Sequence, residues 1–235
     1  MRRTVILLLS MALVLCLTGC KGEPESSRPD MKALRAAEVG SYVYFGEYEQ
    51  DDDASTGKEA IEWLVLAKEE NRMLLISRYG LDAQQYHIKR GSITWEDCSL
   101  RNWLNTSFLE TAFISEEKDL VVGYDMTGMH YNSEEDTFAE KIITDKVFLL
   151  SISEAENYFA DDKTRSCLIT PYCYAQGAKK TKYDTDTWWL RSTGGSYTRA
   201  ASVNPHGEIG EDGIYVDYNI CAIRPAMWIN IGDGK

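Results

Sequence analysis

Six cysteines carry the most specific chemistry in this 235-residue sequence. Four of them lie in the body of the chain, at Cys98, Cys167, Cys173 and Cys221. A zinc site would need two pairs with short C-x2-C spacing, which these positions do not supply. Four cysteines allow three disulfide pairings. We therefore expect structural thiols or disulfides, and neither a metal site nor a cofactor.

The histidines and glycines form no catalytic motif. His87, His130 and His206 are scattered, and the sequence has no G-x-S-x-G elbow, H-E-x-x-H helix or phosphate-binding loop. Three consecutive aspartates at positions 51–53 lack the spaced pattern of a calcium loop, so we interpret them as a solvated turn. No catalytic residue is assigned, and an exported enzyme with an unrecognised active site stays open as an alternative.

The N-terminus has the layout of an export signal. Arg2 and Arg3 precede an apolar run from Thr4 to Leu17, which is shorter than the roughly 20 residues of a membrane-spanning helix. The tetrapeptide LTGC that ends at Cys20 resembles the lipobox of bacterial lipoproteins. This resemblance implies removal of residues 1–19, lipidation (palmitate) of Cys20 and a place on the extracytoplasmic face of the cell membrane. A secretory signal cleaved near a cysteine by coincidence is the alternative.

The rest of the chain divides into a tether and one domain. Residues 20–37 are polar and contain Pro24, Pro29 and several charges, which predicts a flexible segment. Residues 38–235 have the length of a single domain. The formal net charge of −12 argues against nucleic acid and against anionic membrane surfaces as partners. The membrane is therefore expected as a partner only through the lipid on Cys20.

Alternation of apolar and polar residues predicts an irregular mixture of strands and helices. Residues 42–45, 61–66 and 73–76 are expected to form three strands of one sheet, and residues 120–124 and 146–150 two further strands. Thr94 with Asp97 predicts the start of a helix over residues 95–105, and Ser153 with Glu156 predicts the start of another that ends near residue 159. This order favours an α+β domain over a repeated βαβ array.

The last fifty residues predict an antiparallel meander. Its strands are residues 188–192, 200–203, 207–209, 214–216 and 223–231. Asp212 and Gly213 are typical of a two-residue hairpin turn, whose central positions need positive φ. We expect Arg191 and Arg224 to be structural, with guanidinium groups that bond carbonyls or carboxylates between strands.

Two resemblances extend this interpretation. The segments GSYVYFGEYEQD, IEWLVL, LLISRYGLDAQ, ITWEDCSLRNWLN and DKVFLLS resemble an uncharacterised family of exported bacterial domains, common in Firmicutes, over about residues 40–231. WWLRS at 188–192 and RPA at 224–226 resemble the core of the C-type-lectin-like fold in its formylglycine-generating-enzyme variant. The second resemblance implies a twisted antiparallel sheet with a few short helices, in which residues 188–192 and 224–231 are neighbouring central strands. It also implies a pair of copper-binding cysteines, but no cysteine here matches that motif.

The lectin-like resemblance places a ligand at the loops beside the central strands, which are residues 193–199, 204–213 and 217–221. Tyrosine gives a large contact area with a polar tip, and this half of the chain is rich in it. Our hypothesis is a ligand-binding surface lined by Tyr197, Arg199, Asn204, His206 and Tyr218. The alternative is that these residues belong to turns and half-buried sheet positions. The tripeptides of calcium-dependent lectins are absent from the sequence.

These observations predict a membrane-anchored extracytoplasmic lipoprotein that acts as a binding module for a glycan, peptide or protein ligand. An exported enzyme and a structural component of an envelope assembly are the alternatives. A deep pocket with convergent polar groups would favour the enzyme. A broad aromatic patch would favour the binding module.

Overall fold

The computed structural model describes residues 29–132, 137–179 and 186–232. Cys20, the predicted signal peptide and most of the predicted tether lie outside these residues. The described chain is mostly sheet with a few short helices, which confirms the α+β prediction. None of the helices in the described ranges has the length and apolar character needed to span a bilayer.

The helices are short and lie mainly in the first two thirds of the chain. They are α1 (Met31–Ala36), α2 (Ser99–Trp103), α3 (Leu109–Ala112), α4 (Ser115–Leu120), α5 (Ile152–Tyr158), α6 (Asp162–Arg165) and α7 (Pro171–Ala175). A π-helical turn, Leu104–Phe108, joins α2 to α3. The predicted helix over residues 95–105 therefore starts later and continues further than expected.

The first sheet contains the strands β1 (Tyr42–Tyr48), β2 (Glu59–Lys68), β3 (Arg72–Ser77), β5 (Val121–Val122), β8 (Val147–Phe148) and β13 (Ala226–Asn230). Its order is β1-β2-β3-β13-β5, and β8 also pairs with β13. In β1, the side chains of Val43 and Phe45 are buried while those of Tyr42 and Tyr44 are exposed. This alternation places one face on the core. The prediction that the first three strands share a sheet is confirmed.

The second sheet contains β4 (Asp82–Ala83), β9 (Trp188–Thr193), β10 (Arg199–Val203), β11 (Ile209–Tyr215) and β12 (Ala222–Ile223). Its order is β11-β10-β9-β12-β4, with β12 parallel to β9. Strand β13 pairs with β3 in the other sheet. The expectation that residues 188–192 and 224–231 are neighbouring strands was therefore wrong, because the chain leaves β12 and crosses to the other sheet at Arg224 and Pro225.

The predicted hairpin turn at Asp212 and Gly213 was also wrong, because both residues lie inside β11. The pairing register between β10 and β11 shifts between Ala200 and Ser202, so β11 bulges there. Gly213 has a φ of +70°, and a Cβ at this position would lie 2.3 Å from the carbonyl oxygen of Ala200. The glycine is required by a bulge within one strand and not by a turn between two.

A long hairpin extends from the body of the domain. Its strands, β6 (Tyr124–Asn132) and β7 (Thr137–Asp145), form a separate two-stranded sheet. Met126 and Ile143 pair across it and are both buried, so the base of the hairpin packs on the core. The sequence predicted a strand only up to residue 124 and did not predict this hairpin.

Two predicted helix caps were wrong by a few residues. Helix α2 is capped by Cys98, whose Sγ accepts a hydrogen bond from the Arg101 N–H, and not by Thr94. Helix α5 is capped by Ser151, whose Oγ accepts from the Glu154 N–H while the Glu154 carboxylate accepts from the Ser151 N–H. This reciprocal pair is a capping box two residues before the predicted one.

The end of the predicted tether is folded. Helix α1 spans Met31–Ala36, Leu34 is 1% exposed, and the Arg35 side chain donates to the carbonyl oxygens of Ile231 and Gly232 at 2.8 and 3.0 Å. These contacts join the two ends of the domain. The domain therefore starts before residue 38, and the polar composition of residues 20–37 concealed one buried leucine.

All four predicted structural cysteines are buried free thiols. Burial raises the pKa of the Cys98 thiol to about 12, against smaller opposing effects of backbone hydrogen bonds. Cys173 donates to the carbonyl oxygen of Asp82 at 3.1 Å. A thiol held in this way is a packed core residue and is chemically inert.

Arg191 and Arg224 have the structural positions that the sequence predicted. Arg191 donates to the carbonyl oxygen of Leu149 at 2.8 Å and pairs with the Glu154 carboxylate. Arg224 is 3% exposed and donates to the carbonyl oxygen of Ser77 at 2.9 Å. Each guanidinium therefore joins elements that are distant in sequence.

Candidate functional site

A groove of about 700 Å³ lies between the β6–β7 hairpin, the start of α5 and the end of β9. We call it the central groove. It is lined by aromatic rings (Trp95, Tyr124 and Tyr197), hydroxyl groups (Thr94, Thr127, Ser151, Ser153, Ser192 and Thr193), two methionines (Met126 and Met129), Asp125, Gly128 and Arg191. Neither histidine nor cysteine is among these lining residues.

The aromatic walls of the groove are held by other rings. Tyr197 stacks on Phe138 of strand β7, with ring centroids 3.4 Å apart and an interplanar angle of 8°. Tyr124 packs against Phe148 at 5.1 Å and against Trp228 at 6.0 Å. Because both rings are already oriented, a ligand that stacks on them loses little side-chain entropy of the protein.

Arg191, the one cationic side chain among the described residues that line the groove, is compensated by a neighbouring acid. The Arg191 guanidinium donates to both oxygens of the Glu154 carboxylate, with an Nη2–Oε1 distance of 2.8 Å. Such a bidentate pair fixes the guanidinium plane. The pair contributes hydrogen-bonding groups to the groove but no net charge.

The floor of the groove rests on a buried carboxylate. Asp145 is 3% exposed and accepts from Trp95 Nε1 at 2.8 Å and from Arg101 Nε at 2.7 Å. Burial raises the pKa of Asp145, and the hydrogen bonds from Trp95 and Arg101 oppose that shift. Both donors, Trp95 and Arg101, belong to the segment ITWEDCSLRNWLN. This segment therefore helps to position the wall of the groove.

Of the five predicted ligand-binding residues, only Tyr197 lines the central groove. Arg199 donates to the carbonyl oxygen of Gly213 at 3.2 Å, and its guanidinium lies over the Tyr215 ring at 4.3 Å from the centroid. The Tyr215 ring lies 5.6 Å from that of Tyr218, whose side chain is exposed. Arg90 covers the Tyr215 ring at 4.1 Å. Arg199 and Tyr218 therefore belong to a separate stack of arginine and tyrosine side chains.

Asn204 and His206 lie beyond the opposite end of β10. The Asn204 side-chain oxygen accepts from the backbone N–H groups of His206 and Glu208 at 2.9 and 3.1 Å, and its amide donates to the Glu208 carboxylate. This arrangement closes a loop in which His206 is exposed. The structure thus does not bring the five predicted residues into one site.

Comparison with known families accounts for most of the chain. A family model described as a domain of unknown function, DUF6273, matches residues 70–231. The chain belongs to the DUF6273 family. No curated protein and no solved structure matches it. The match begins after β2, so the first sheet of this DUF6273 domain contains two strands from outside the matched range.

Within the described part of this DUF6273 domain, two groups of side chains have spacing suited to a cation. Glu96, Asp97 and His130 lie next to the groove, but Lys141 and His130 already bond the Glu96 carboxylate. Burial raises the pKa of Glu96, and these two partners together outweigh it, so the pKa lies below its usual value. This pattern describes an ion-paired carboxylate.

The second group, Glu49, Asp51 and Glu59, borders the run of aspartates. Asp51 accepts from the Asp53 N–H at 2.8 Å and from the Thr56 hydroxyl at 3.1 Å. The side chains of residues 51–53 are exposed. These local hydrogen bonds are those of a turn in which aspartate side chains cap the backbone.

Most of the groove was not predicted from the sequence. Tyr124 and Met126 lie on the unpredicted hairpin, Ser192 was expected only as the end of a strand, and Ser151 was not singled out. Ser192 accepts from the Ile152 N–H at 3.0 Å, which joins β9 to α5. The available signal was the WWLRS segment, because its last two residues leave the buried core and line the groove.

Proposed function

We propose that this protein is an extracytoplasmic binding module that holds a neutral glycan in the central groove. The observation that carries the proposal is the combination of fixed aromatic rings, a dense set of hydroxyl groups and a compensated arginine in one groove of about 700 Å³. Pockets that bind small ligands combine apolar surface with a few placed polar groups.

A sugar ring matches this lining. Its C–H face packs on an aromatic ring, as Tyr124 and Tyr197 offer, and its hydroxyls exchange hydrogen bonds with serine, threonine and arginine side chains. Because Glu154 compensates Arg191, the groove offers no uncompensated cation to an anionic polymer. The net charge of −12 disfavours polyanions in the same way.

Binding is favoured over catalysis by what lines the groove. A hydrolase of the nucleophilic type needs a hydroxyl or thiol within reach of a base. The lining offers hydroxyls, but Ser151 and Ser192 accept backbone hydrogen bonds. The nearby carboxylates are also engaged, Glu154 by Arg191 and Asp125 by the Thr144 hydroxyl. This is the supporting argument against the exported-enzyme alternative.

The location belongs to the same proposal. Acylation of Cys20 with two or three chains would hold the domain stably at the membrane, whereas one chain would bind reversibly. The lipobox-like tetrapeptide before Cys20 supports it. Mass spectrometry of the purified membrane fraction is expected to find acylated Cys20 at the mature N-terminus, and an unmodified Cys20 would contradict the anchor.

We also propose that this domain is related to the C-type-lectin-like fold. A C-type-lectin-like origin is supported by the antiparallel β9-β10-β11 meander and by the short helices around it. In that fold the loops beside the meander meet the ligand, and here Thr193 at the end of β9 and Tyr197 in the loop that follows line the groove.

A glycan array that includes peptidoglycan fragments, with a peptide array in parallel, tests the proposal. We expect the wild-type protein to bind neutral glycans, and Tyr197→Ala to weaken that binding about tenfold, a loss of ~1.4 kcal/mol. Tyr218→Ala is the matched control, because Tyr218 is an exposed tyrosine outside the groove. Binding to peptides alone, or equal effects of the two substitutions, would contradict a glycan site in this groove.

A further inference from the structure

A second pocket lies beside strand β4 and shares no lining residue with the central groove. Its volume is about 520 Å³, and residues of β4, α2 and α7 border it. We call it the amide pocket, because four of its eleven lining residues carry carboxamides. Its walls include Asp82, Gln84, Gln85, Trp103, Tyr172 and Asn219.

Asp82 is the only formally charged side chain among the lining residues. It is 5% exposed, and its carboxylate accepts from the Tyr48 hydroxyl at 2.6 Å and from the Ala83 N–H at 2.6 Å. Within the described ranges, no lysine, arginine or histidine forms an ion pair with it. Burial raises the pKa of Asp82, and its hydrogen bonds with Tyr48, Ala83 and Gln84 oppose the shift. A buried carboxylate without a counter-charge is costly for the fold.

Two carboxamides of this pocket donate their NH2 groups to backbone carbonyls of the protein. Gln85 Nε2 donates to the carbonyl oxygen of Asp217 at 2.6 Å. Asn219 Nδ2 donates to the carbonyl oxygen of Gln176 at 3.2 Å. Each amide thereby uses its NH2 group within the protein and keeps its carbonyl oxygen for another donor. The pocket therefore has a surplus of acceptors in addition to its negative charge.

Two aromatic rings complete the wall. Tyr172 meets the Tyr48 ring edge-on, with centroids 5.9 Å apart, and Trp103 packs against Phe108 at 5.5 Å. Both are half-buried, so part of each side chain reaches the pocket. Aromatic faces attract cations and pack well on methylene groups.

We propose that the amide pocket binds an aliphatic primary ammonium group. A protonated amine has three N–H donors and no acceptor, which matches a single carboxylate surrounded by amide oxygens. Asp82 supplies the charge, Gln85 and Asn219 accept two N–H groups, and the rings of Trp103 and Tyr172 pack on the carbons next to the nitrogen. The site is independent of glycan binding in the groove.

Isothermal titration of the wild-type protein at physiological salt tests the ligand chemistry. The probes are putrescine and cyclohexylamine, each compared with its neutral counterpart, butanediol and cyclohexanol. We expect saturable binding of at least one amine and none of its neutral counterpart, and the better amine tells whether the pocket prefers a linear or a ring-borne amine. Absence of saturable amine binding, or equal binding of amine and neutral counterpart, would overturn the proposal.

Two substitutions test the residues. Asp82→Asn keeps an acceptor for Tyr48 but removes the charge, and we expect about tenfold weaker amine binding, as for the loss of one charge-assisted hydrogen bond. Asn219→Ala removes one acceptor from an exposed position that the fold tolerates, with about threefold weaker binding expected. Glu211→Gln, which removes one exposed charge outside the pocket, is the control.

Circular dichroism and a thermal unfolding curve accompany each variant. Wild-type amine affinity in both Asp82→Asn and Asn219→Ala would overturn the assignment, and so would an equal loss in Glu211→Gln, because that result indicates a general attraction of cations to an acidic protein. Tyr197→Ala is expected to keep full amine affinity. The outcome of this titration is therefore separate from the outcome for the groove.

Discussion

Asp186 is a buried carboxylate whose stability effect can be worked out from its surroundings. It lies just before strand β9 and is 2% exposed. Its Oδ1 accepts from the Thr187 N–H at 2.6 Å, whereas Oδ2 has no hydrogen-bond partner in the part of the chain that the structure describes. Burial raises its pKa from 3.8 to about 7, against smaller effects of the Thr187 hydrogen bond and of Lys179.

The size and sign of the effect follow from linkage. Each unit of pKa difference between the folded and unfolded states corresponds to about 1.4 kcal/mol, so a rise of about three units corresponds to roughly 4 kcal/mol. Because the pKa of Asp186 is raised, the folded protein holds this proton more tightly between about pH 4 and pH 7. The free energy of unfolding therefore falls as pH rises through that window, and the loss is complete above about pH 7.

Substitution of Asp186 by Asn removes this dependence and nearly preserves the volume. Urea denaturation measures the free energy of unfolding of both proteins at each pH. We expect the difference between Asp186→Asn and wild type to shift in favour of the variant by about 3 kcal/mol from pH 5 to pH 8. Asp161→Asn is the control, because hydrogen bonds from Thr164 lower the pKa of the exposed Asp161 carboxyl, so its pH-dependent effect lies below about pH 4 and its profile is expected to parallel that of wild type from pH 5 to pH 8. Parallel stability profiles of wild type and Asp186→Asn across this window would refute the reasoning.

Three further predictions concern the fold. Arg101→Met is expected to cost about 3 kcal/mol of unfolding free energy in urea, because it leaves the Asp145 carboxylate buried without its ion pair; a cost below ~1 kcal/mol would contradict that role. Gly213→Ala is expected to lower the free energy of unfolding by about 1–3 kcal/mol in thermal unfolding, because the φ of Gly213 is positive. Gly91→Ala is expected to be neutral because the space around Gly91 is open, and equal effects of the two substitutions would argue against the bulge. The four cysteines of the domain are expected to react with a thiol reagent only after denaturation, and rapid reaction in the native state would show that they are accessible.

The sequence predicted elements whose own residues decide their structure. In β1, exposed Tyr42 and Tyr44 alternate with buried Val43 and Phe45, and this period of two is sufficient to assign a strand with one face on the core. The apolar run in β3 is buried throughout, and the strand lies between β2 and β13 in the sheet. The apolar composition of such a strand can be recognised from its own residues.

The same patterns could not show which sheet a strand joins. Residues 223–231 look like one strand, but Pro225 has no N–H to donate, and the chain passes there from β12 in one sheet to β13 in the other. Arg224 fixes this crossing through its bond to the Ser77 carbonyl oxygen. This contact joins residues 147 positions apart in sequence, which a local pattern cannot show.

Helix capping shows a second limit of local motifs. The chain offers two overlapping S-x-x-E patterns, one from Ser151 to Glu154 and one from Ser153 to Glu156. Both satisfy the capping rule equally well. The fold selects the first, because Ile152 N–H bonds to Ser192 of the neighbouring strand and Glu154 pairs with Arg191. A tertiary contact therefore resolves an ambiguity that the sequence leaves open.

The residues that build the central groove differ in how far they also hold the domain together. Trp95 and Arg191 line it, but each also bonds a buried or half-buried carboxylate of the scaffold, so substituting either changes the fold together with the site. Tyr197 is different. Its backbone oxygen accepts from the Ile93 N–H, whereas its ring is half-buried and stacks on Phe138. An alanine at position 197 keeps the backbone bond and removes only the ring, so this residue best separates binding from folding.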